Sequence, residues 1–160
     1  FRPSRTYDLI LFSESSQYIA APDIARAASF LNRGGFLLMA DMMRFDADYT
    51  KGMFSNCHVV KELEAVLKQA GFTLINREDI SAQITPTIDL YVENFQRFGL
   101  STLKYIADLI AIAVPPLYKL LRWCFNRWLR HLVVEGLNAR QIFEAHLCYQ
   151  IQLWQLVASE

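Results

Sequence analysis

Glycine and cysteine are scarce in this chain, and neither charge sign is in excess. Six glycines occur in 160 residues, and only Gly34-Gly35 are adjacent. The three cysteines, Cys57, Cys124 and Cys148, are dispersed, with no CxxC or Cys/His spacing. That pattern excludes a disulfide framework and a zinc module, and leaves buried or incidental thiols in a reducing compartment. Sixteen basic residues balance sixteen acidic ones, so no polyanion-binding surface is expected and nucleic acid is excluded as a partner. Long apolar runs are also missing. Between Lys104, Asp108 and Lys119 the longest uncharged apolar run is Leu109–Tyr118, about half of what a bilayer span requires. No internal repeat or low-complexity stretch is evident.

Apolar residues are abundant instead, at 53% of the chain with 13% aromatic, enough for one domain with a substantial core. Tyr7–Phe12 (YDLILF) reads as a buried strand, followed by a polar exit at Ser13–Ser16. Pro22 suits the first turn of a helix over Asp23–Asn32, with Ile24, Ala27, Ala28 and Leu31 on one face. Gly34-Gly35 is expected to end that helix, because glycine adopts positive φ without a Cβ clash. The uniform run Phe36–Ala40 then reads as a strand covered on both faces, with Asp41 where it stops. Ligands of open α/β sheets gather beyond the carboxyl ends of strands, so Asp41 falls at a functional rim by position.

Residues 42–57 read as an irregular loop. A helix over Val59–Ala70 carries Val59, Leu63, Val66 and Leu67 on one stripe and stops at Gly71 before a short strand, Phe72–Ile75. Pro86–Arg140 is read as mostly helical, broken at Pro115-Pro116. The last run, His146–Ala158, alternates Gln150 and Gln152 with Tyr149, Ile151 and Leu153, which argues for a strand, antiparallel and near one side of the sheet. The expected organisation is one domain over 1–160, with an α/β core at 1–85, a helical insert at 86–142 and a terminal strand at 143–160.

Four segments in this order resemble the second half of class I S-adenosylmethionine-dependent methyltransferases of the small-molecule type. They are YDLILFSESSQYI at 7–19, FLNRGGFLLMAD at 30–41, VVKELEAVLKQAGFTLI at 59–75 and HLCYQIQLWQLVA at 146–158. The resemblance implies a partial Rossmann-like α/β sheet with a helical insert before the last, antiparallel strand. It implies S-adenosyl-L-methionine as cofactor and methyl transfer to oxygen or carbon of a small, lipophilic acceptor, in the cytoplasm. The family's glycine-rich loop and ribose-binding carboxylate precede the matched region. Further chain is therefore expected to supply them, and this piece alone is expected to bind cofactor poorly and to be inactive.

The resemblance places Ser13, Glu14 and Gln17 beside the cofactor, and Tyr18 where many relatives carry a histidine. Methyl transfer needs alignment of nucleophile, methyl carbon and sulfur, and sometimes removal of a proton. Asp41 and Tyr18 are the candidate catalytic residues on that basis. Arg44 could pair with Asp41 or with an acidic substrate, and His58 precedes the helix that closes over the site. Tyr91 and Phe95, with Phe98, Tyr105, Tyr118, Trp123, Phe125 and Trp128, belong to an aromatic insert. That insert would be a core, an acceptor pocket, or an interfacial face in which Lys119, Arg122, Arg127 and Arg130 meet lipid. Peripheral membrane contact through residues 100–130 is the corresponding partner expectation, and no metal ligand set is expected. The rival readings are a non-enzymatic lipid-binding or interaction module on an α/β base, and a piece of another nucleotide-cofactor enzyme such as a nicotinamide-dependent reductase.

Overall fold

The apolar segments assemble around one four-stranded sheet in a computed structural model that describes residues 5–157, apart from the side chains of 120–122, 124–129 and 132. The side chains of Phe125, Trp128, Arg122 and Arg127 therefore lie outside the described residues. The strands are β1 (Tyr7–Ser13), β2 (Leu31–Arg44), β3 (Phe72–Asp79) and β4 (Leu147–Leu156), ordered β1-β2-β4-β3 across the sheet. β1 runs parallel to β2, and β4 runs antiparallel to both β2 and β3. Helix α1 (Ala21–Ala25), continued as a 3₁₀ segment over Arg26–Phe30, joins β1 to β2, and α2 (Val60–Gln69) joins β2 to β3.

The terminal strand is thus antiparallel as its alternation suggests, but it lies between two strands rather than near one side. Leu37, Met39 and Asp41 of β2 stand opposite Trp154, Gln152 and Gln150 of β4, so all six share one face of the sheet. That face is the buried one. Trp154 Nε1 donates to Gln152 Oε1 at 2.9 Å, and Gln152 Nε2 donates to Gln150 Oε1 at 2.7 Å. A satisfied amide can be buried at little cost, which is why the glutamines sit inside. Ile24, Leu63, Leu67 and Phe72 complete this core.

The Gly34-Gly35 pair does not end a helix. The α-helix stops at Ala25, and β2 already begins at Leu31, which pairs with Tyr7, whereas Phe36 pairs with Leu9. The intervening residues form a wide irregularity in which Gly34 adopts φ 76°. Asn32 anchors it by donating to Asp8 Oδ1 at 2.7 Å and accepting from Thr6. At its other end β2 runs three residues past Asp41, because Met42, Met43 and Arg44 find partners in Tyr149, Cys148 and Leu147. Among the described residues β1 pairs only with β2, and its Leu9 and Leu11 are 53% and 58% exposed.

A second, helical unit covers residues 85–145. It comprises the greater part of α3 (Ser81–Asn94), one π turn at Phe95–Gly99, α4 (Leu100–Ala113), α5 (Pro115–Leu137) and α6 up to Ala145 (α6 spans Ala139–His146). Val114, at φ −142° and ψ 72°, separates α4 from α5, since a residue before proline is driven out of the helical region. Among the described residues no helix is long and apolar enough to cross a membrane.

Candidate functional site

β1, β2 and β3 point the same way, so their carboxyl ends share one rim, and the antiparallel β4 begins at that rim. Ser13 closes β1 there. Glu14 follows at φ 53°, a left-handed conformation unusual for a residue with a side chain, and its N–H donates to Ala40 O at 3.0 Å. The Tyr149 hydroxyl reaches across from β4 and donates to Glu14 Oε1 at 2.5 Å. Burial, and then the Glu14 carboxylate, hold the Tyr149 phenol well above its ordinary range, so it acts as a donor and stays protonated.

The 3₁₀ turn Ser16–Tyr18 sits behind Glu14. Its Ser16 N–H donates to Asp41 Oδ2 at 3.1 Å. Asp41 is 0% exposed, and among the described residues its Oδ1 and the Ser16 Oγ are buried without a hydrogen-bond partner. The sequence position of Asp41 suggests direct work on an acceptor. In the structure, however, its carboxylate has no exposed surface and instead pins the turn. His58 Nε2 lies 2.9 Å from both Ser16 O and Ile19 O, and the Cys57 thiol donates to Gln17 Oε1 at 3.2 Å. Burial, opposed by Arg44, pushes the Cys57 thiol up to about 11.

Arg44 does not take the expected role of an ion-pair partner for Asp41. Its Nε donates to Cys57 O at 2.7 Å and its Nη1 to Tyr49 O, so the guanidinium ties down the 45–58 loop. Tyr18 stands at the other extreme, 75% exposed at the end of the turn. Ser13, Glu14, Gln17, Asp41, Arg44 and His58 are therefore brought into one hydrogen-bonded neighbourhood, with Tyr18 at its surface. Tyr91 and Phe95 belong to the helical unit. Their rings stack with centroids 6.3 Å apart, and Phe95 packs so closely on Gly136 that a Cβ there would come within 2.7 Å of its ring. Phe95 therefore fills a helix–helix contact.

Sequence reasoning misses Tyr149, and also a pair formed by Asp46 and His146 beside the rim. His146 Nδ1 lies 2.6 Å from Asp46 Oδ2, and the imidazole stacks on Tyr49 at 4.4 Å. The Asp46–His146 pair is separated by 100 residues, so no local spacing could reveal it. The hydrogen bond from His146, aided by the Asp48 N–H, holds the Asp46 carboxyl below its usual 3.8. A depressed carboxyl stabilises the fold above its unfolded pKa and loses that contribution as pH falls through the folded value. Asp46→Asn is therefore expected to flatten the fall in urea midpoint on acidification below about pH 4. An unchanged acid limb would remove this pair from the balance. Among the described residues no group of three His, Cys, Asp or Glu side chains is placed to hold a metal ion.

No protein-family model matches the sequence, and no curated protein does. Solved structures do match. A geranyl diphosphate C-methyltransferase from Streptomyces coelicolor superposes with a TM-score of 0.62 at 11% identity, over 98% of this chain and 50% of its own. A cyclopropane synthase from Mycobacterium tuberculosis gives 0.58 at 16% identity, over 94% of this chain and 56% of its own. An O-methyltransferase from a trans-AT polyketide synthase of Brevibacillus brevis gives 0.57 at 16% identity, over 96% and 45%. The sheet has the fold of part of the sheet in these structures, and the chain spans about half the length of the structures it matches.

Proposed function

We propose that this chain is the acceptor-side half of an S-adenosylmethionine-dependent methyltransferase acting on oxygen or carbon of a small, lipophilic molecule. The observation that carries the reading is the sheet order, in which a terminal antiparallel strand is inserted between two parallel ones, with a polar rim at the carboxyl ends of β1 and β2. Three of the solved structures it resembles are described as methyltransferases or a cyclopropane synthase, and the first of them is a geranyl diphosphate C-methyltransferase. The open edge of β1, with Leu9 and Leu11 exposed, is where further strands would continue the sheet and bring a cofactor loop.

When bound, S-adenosylmethionine supplies a methyl group activated by a sulfonium. The chain's own residues provide position. Ser13, Glu14 and Gln17 border the cofactor side, with Glu14 held by Tyr149 so that its second carboxylate oxygen can accept from a ligand N–H or O–H. Asp41 and His58 are positioning residues that fix both faces of the Ser16 turn. Tyr18, exposed at the end of that turn, meets the acceptor and orients it by a hydrogen bond from its hydroxyl.

Two variants test this in a form of the protein that turns over. Tyr18→Phe is expected to lower kcat roughly tenfold or more while leaving S-adenosylhomocysteine affinity unchanged. Asp41→Ala frees the buried Ser16 N–H and is expected to weaken that affinity by about tenfold. Wild-type kcat in the first variant would remove Tyr18 from the chemistry. Wild-type affinity in the second would separate the turn from the cofactor.

A further inference from the structure

Helix α4 is apolar on both sides. Leu103, Ala107, Ile110 and Ala111 are half-buried on the side opposite its exposed stripe, and α4 packs on α5. On α4, Tyr105, Leu109 and Ile112 recur at spacings of four and three, which places them within about 60° of arc at 100° per residue, and Phe98 precedes them in the π turn. Phe98, Tyr105, Leu109 and Ile112 are 58%, 64%, 48% and 80% exposed, and Trp123 on α5 reaches 83%. Apolar side chains exposed to this degree on one stripe call for a cover.

Charge decides what covers it. Residues 97–130 contain six basic side chains (Arg97, Lys104, Lys119, Arg122, Arg127 and Arg130) and one acidic one, Asp108. The segment therefore carries +5, and because the whole chain is neutral the remainder carries −5. Apposing this region to its copy would bring like charges together, since among its described side chains Arg97, Lys104, Lys119 and Arg130 outnumber Asp108. A nucleic acid would satisfy the charge but leave the stripe wet. A bilayer of anionic lipid meets both demands, with headgroups for the cations and acyl chains for Phe98, Tyr105, Leu109 and Ile112. With no helix able to span a membrane among the described residues, the contact lies in the interface plane.

We propose that α4 and the start of α5 form an interfacial docking surface for anionic membranes. It stands independently of the methyl-transfer reading, although a lipophilic acceptor would then be met at its source. The test is co-sedimentation of the 160-residue chain with phosphatidylcholine vesicles, with and without about one-third phosphatidylserine. Binding to the anionic vesicles is expected to be at least tenfold tighter, and to fall when salt rises from about 0.1 M to about 1 M and shortens the Debye length from about 10 Å to about 3 Å. Leu109→Asp with Ile112→Asp, and separately Lys119→Glu with Arg130→Glu, should each reduce it tenfold or more with circular dichroism unchanged. Equal binding to both vesicle types, or no vesicle binding at all, overturns the proposal. A dimer in sedimentation equilibrium that Ile112→Asp dissociates, without vesicle binding, would assign the stripe to a second copy instead.

Discussion

Replacing Trp154 with alanine is expected to destabilise the α/β unit by about 4 kcal/mol, the range for truncating a fully buried tryptophan. Trp154 is 0% exposed on β4, the strand that joins β2 to β3, with Leu37 and Leu74 as its cross-strand partners. The loss has two parts. The indole leaves a cavity that the paired strands on both sides cannot close, and Gln152 Oε1 loses its 2.9 Å donor in a site 1% exposed. An orphaned buried acceptor costs about 1–3 kcal/mol. Trp154→Phe separates the parts, since the ring volume is largely kept while the donor is lost, and about 1–3 kcal/mol is expected. Small domains have only about 5–15 kcal/mol in total, so the alanine variant should show a much lower urea midpoint by circular dichroism. A shift below about 1 kcal/mol would mean that the core is not centred on this ladder.

Local pattern was sufficient for α2, where apolar stripe and glycine stop agree, and for the existence of the strand at Tyr7–Phe12 but not for its burial, since Leu9 and Leu11 are 53% and 58% exposed. The double proline likewise marks the α4–α5 break. Misread features depend on partners far along the chain. Gly34-Gly35 looks like a helix stop, yet Leu31 already pairs with Tyr7 and pulls the segment into β2. Which face Gln150 and Gln152 take is decided by hydrogen bonds with each other and with Trp154 that the alternation alone does not reveal. At the site, Ser13–Tyr18 is legible as a strand exit of an α/β sheet, whereas Asp41 is not one, since β2 runs on to Arg44. That Asp41 is enclosed and bound to Ser16, and that Tyr149 and His146 join the rim, follows from contacts 25 to 135 residues apart. Arg44 was readable as a cation but not as a brace for the loop, since its acceptors are backbone carbonyls that carry no sequence signature.

The second large effect concerns the cofactor. On the proposed reading, the rim of β1 and β2 would offer side chains for the acceptor and the methionine end of the cofactor, whereas backbone N–H donors for its remainder require a glycine-rich loop. Gly34 and Gly35, the one adjacent pair here, lie inside β2, in the irregularity between its Leu31 and Phe36 pairings with β1. The affinity difference between a longer natural form and this chain should therefore exceed a hundredfold, beyond about 2.7 kcal/mol of binding free energy. Isothermal titration of S-adenosylhomocysteine into both, side by side, is the most direct test of the account. Micromolar binding by the longer form and none by the 160-residue chain is the result it predicts. No binding by a longer form that is demonstrably folded would contradict it, and would leave the α/β unit as the base of an interaction module.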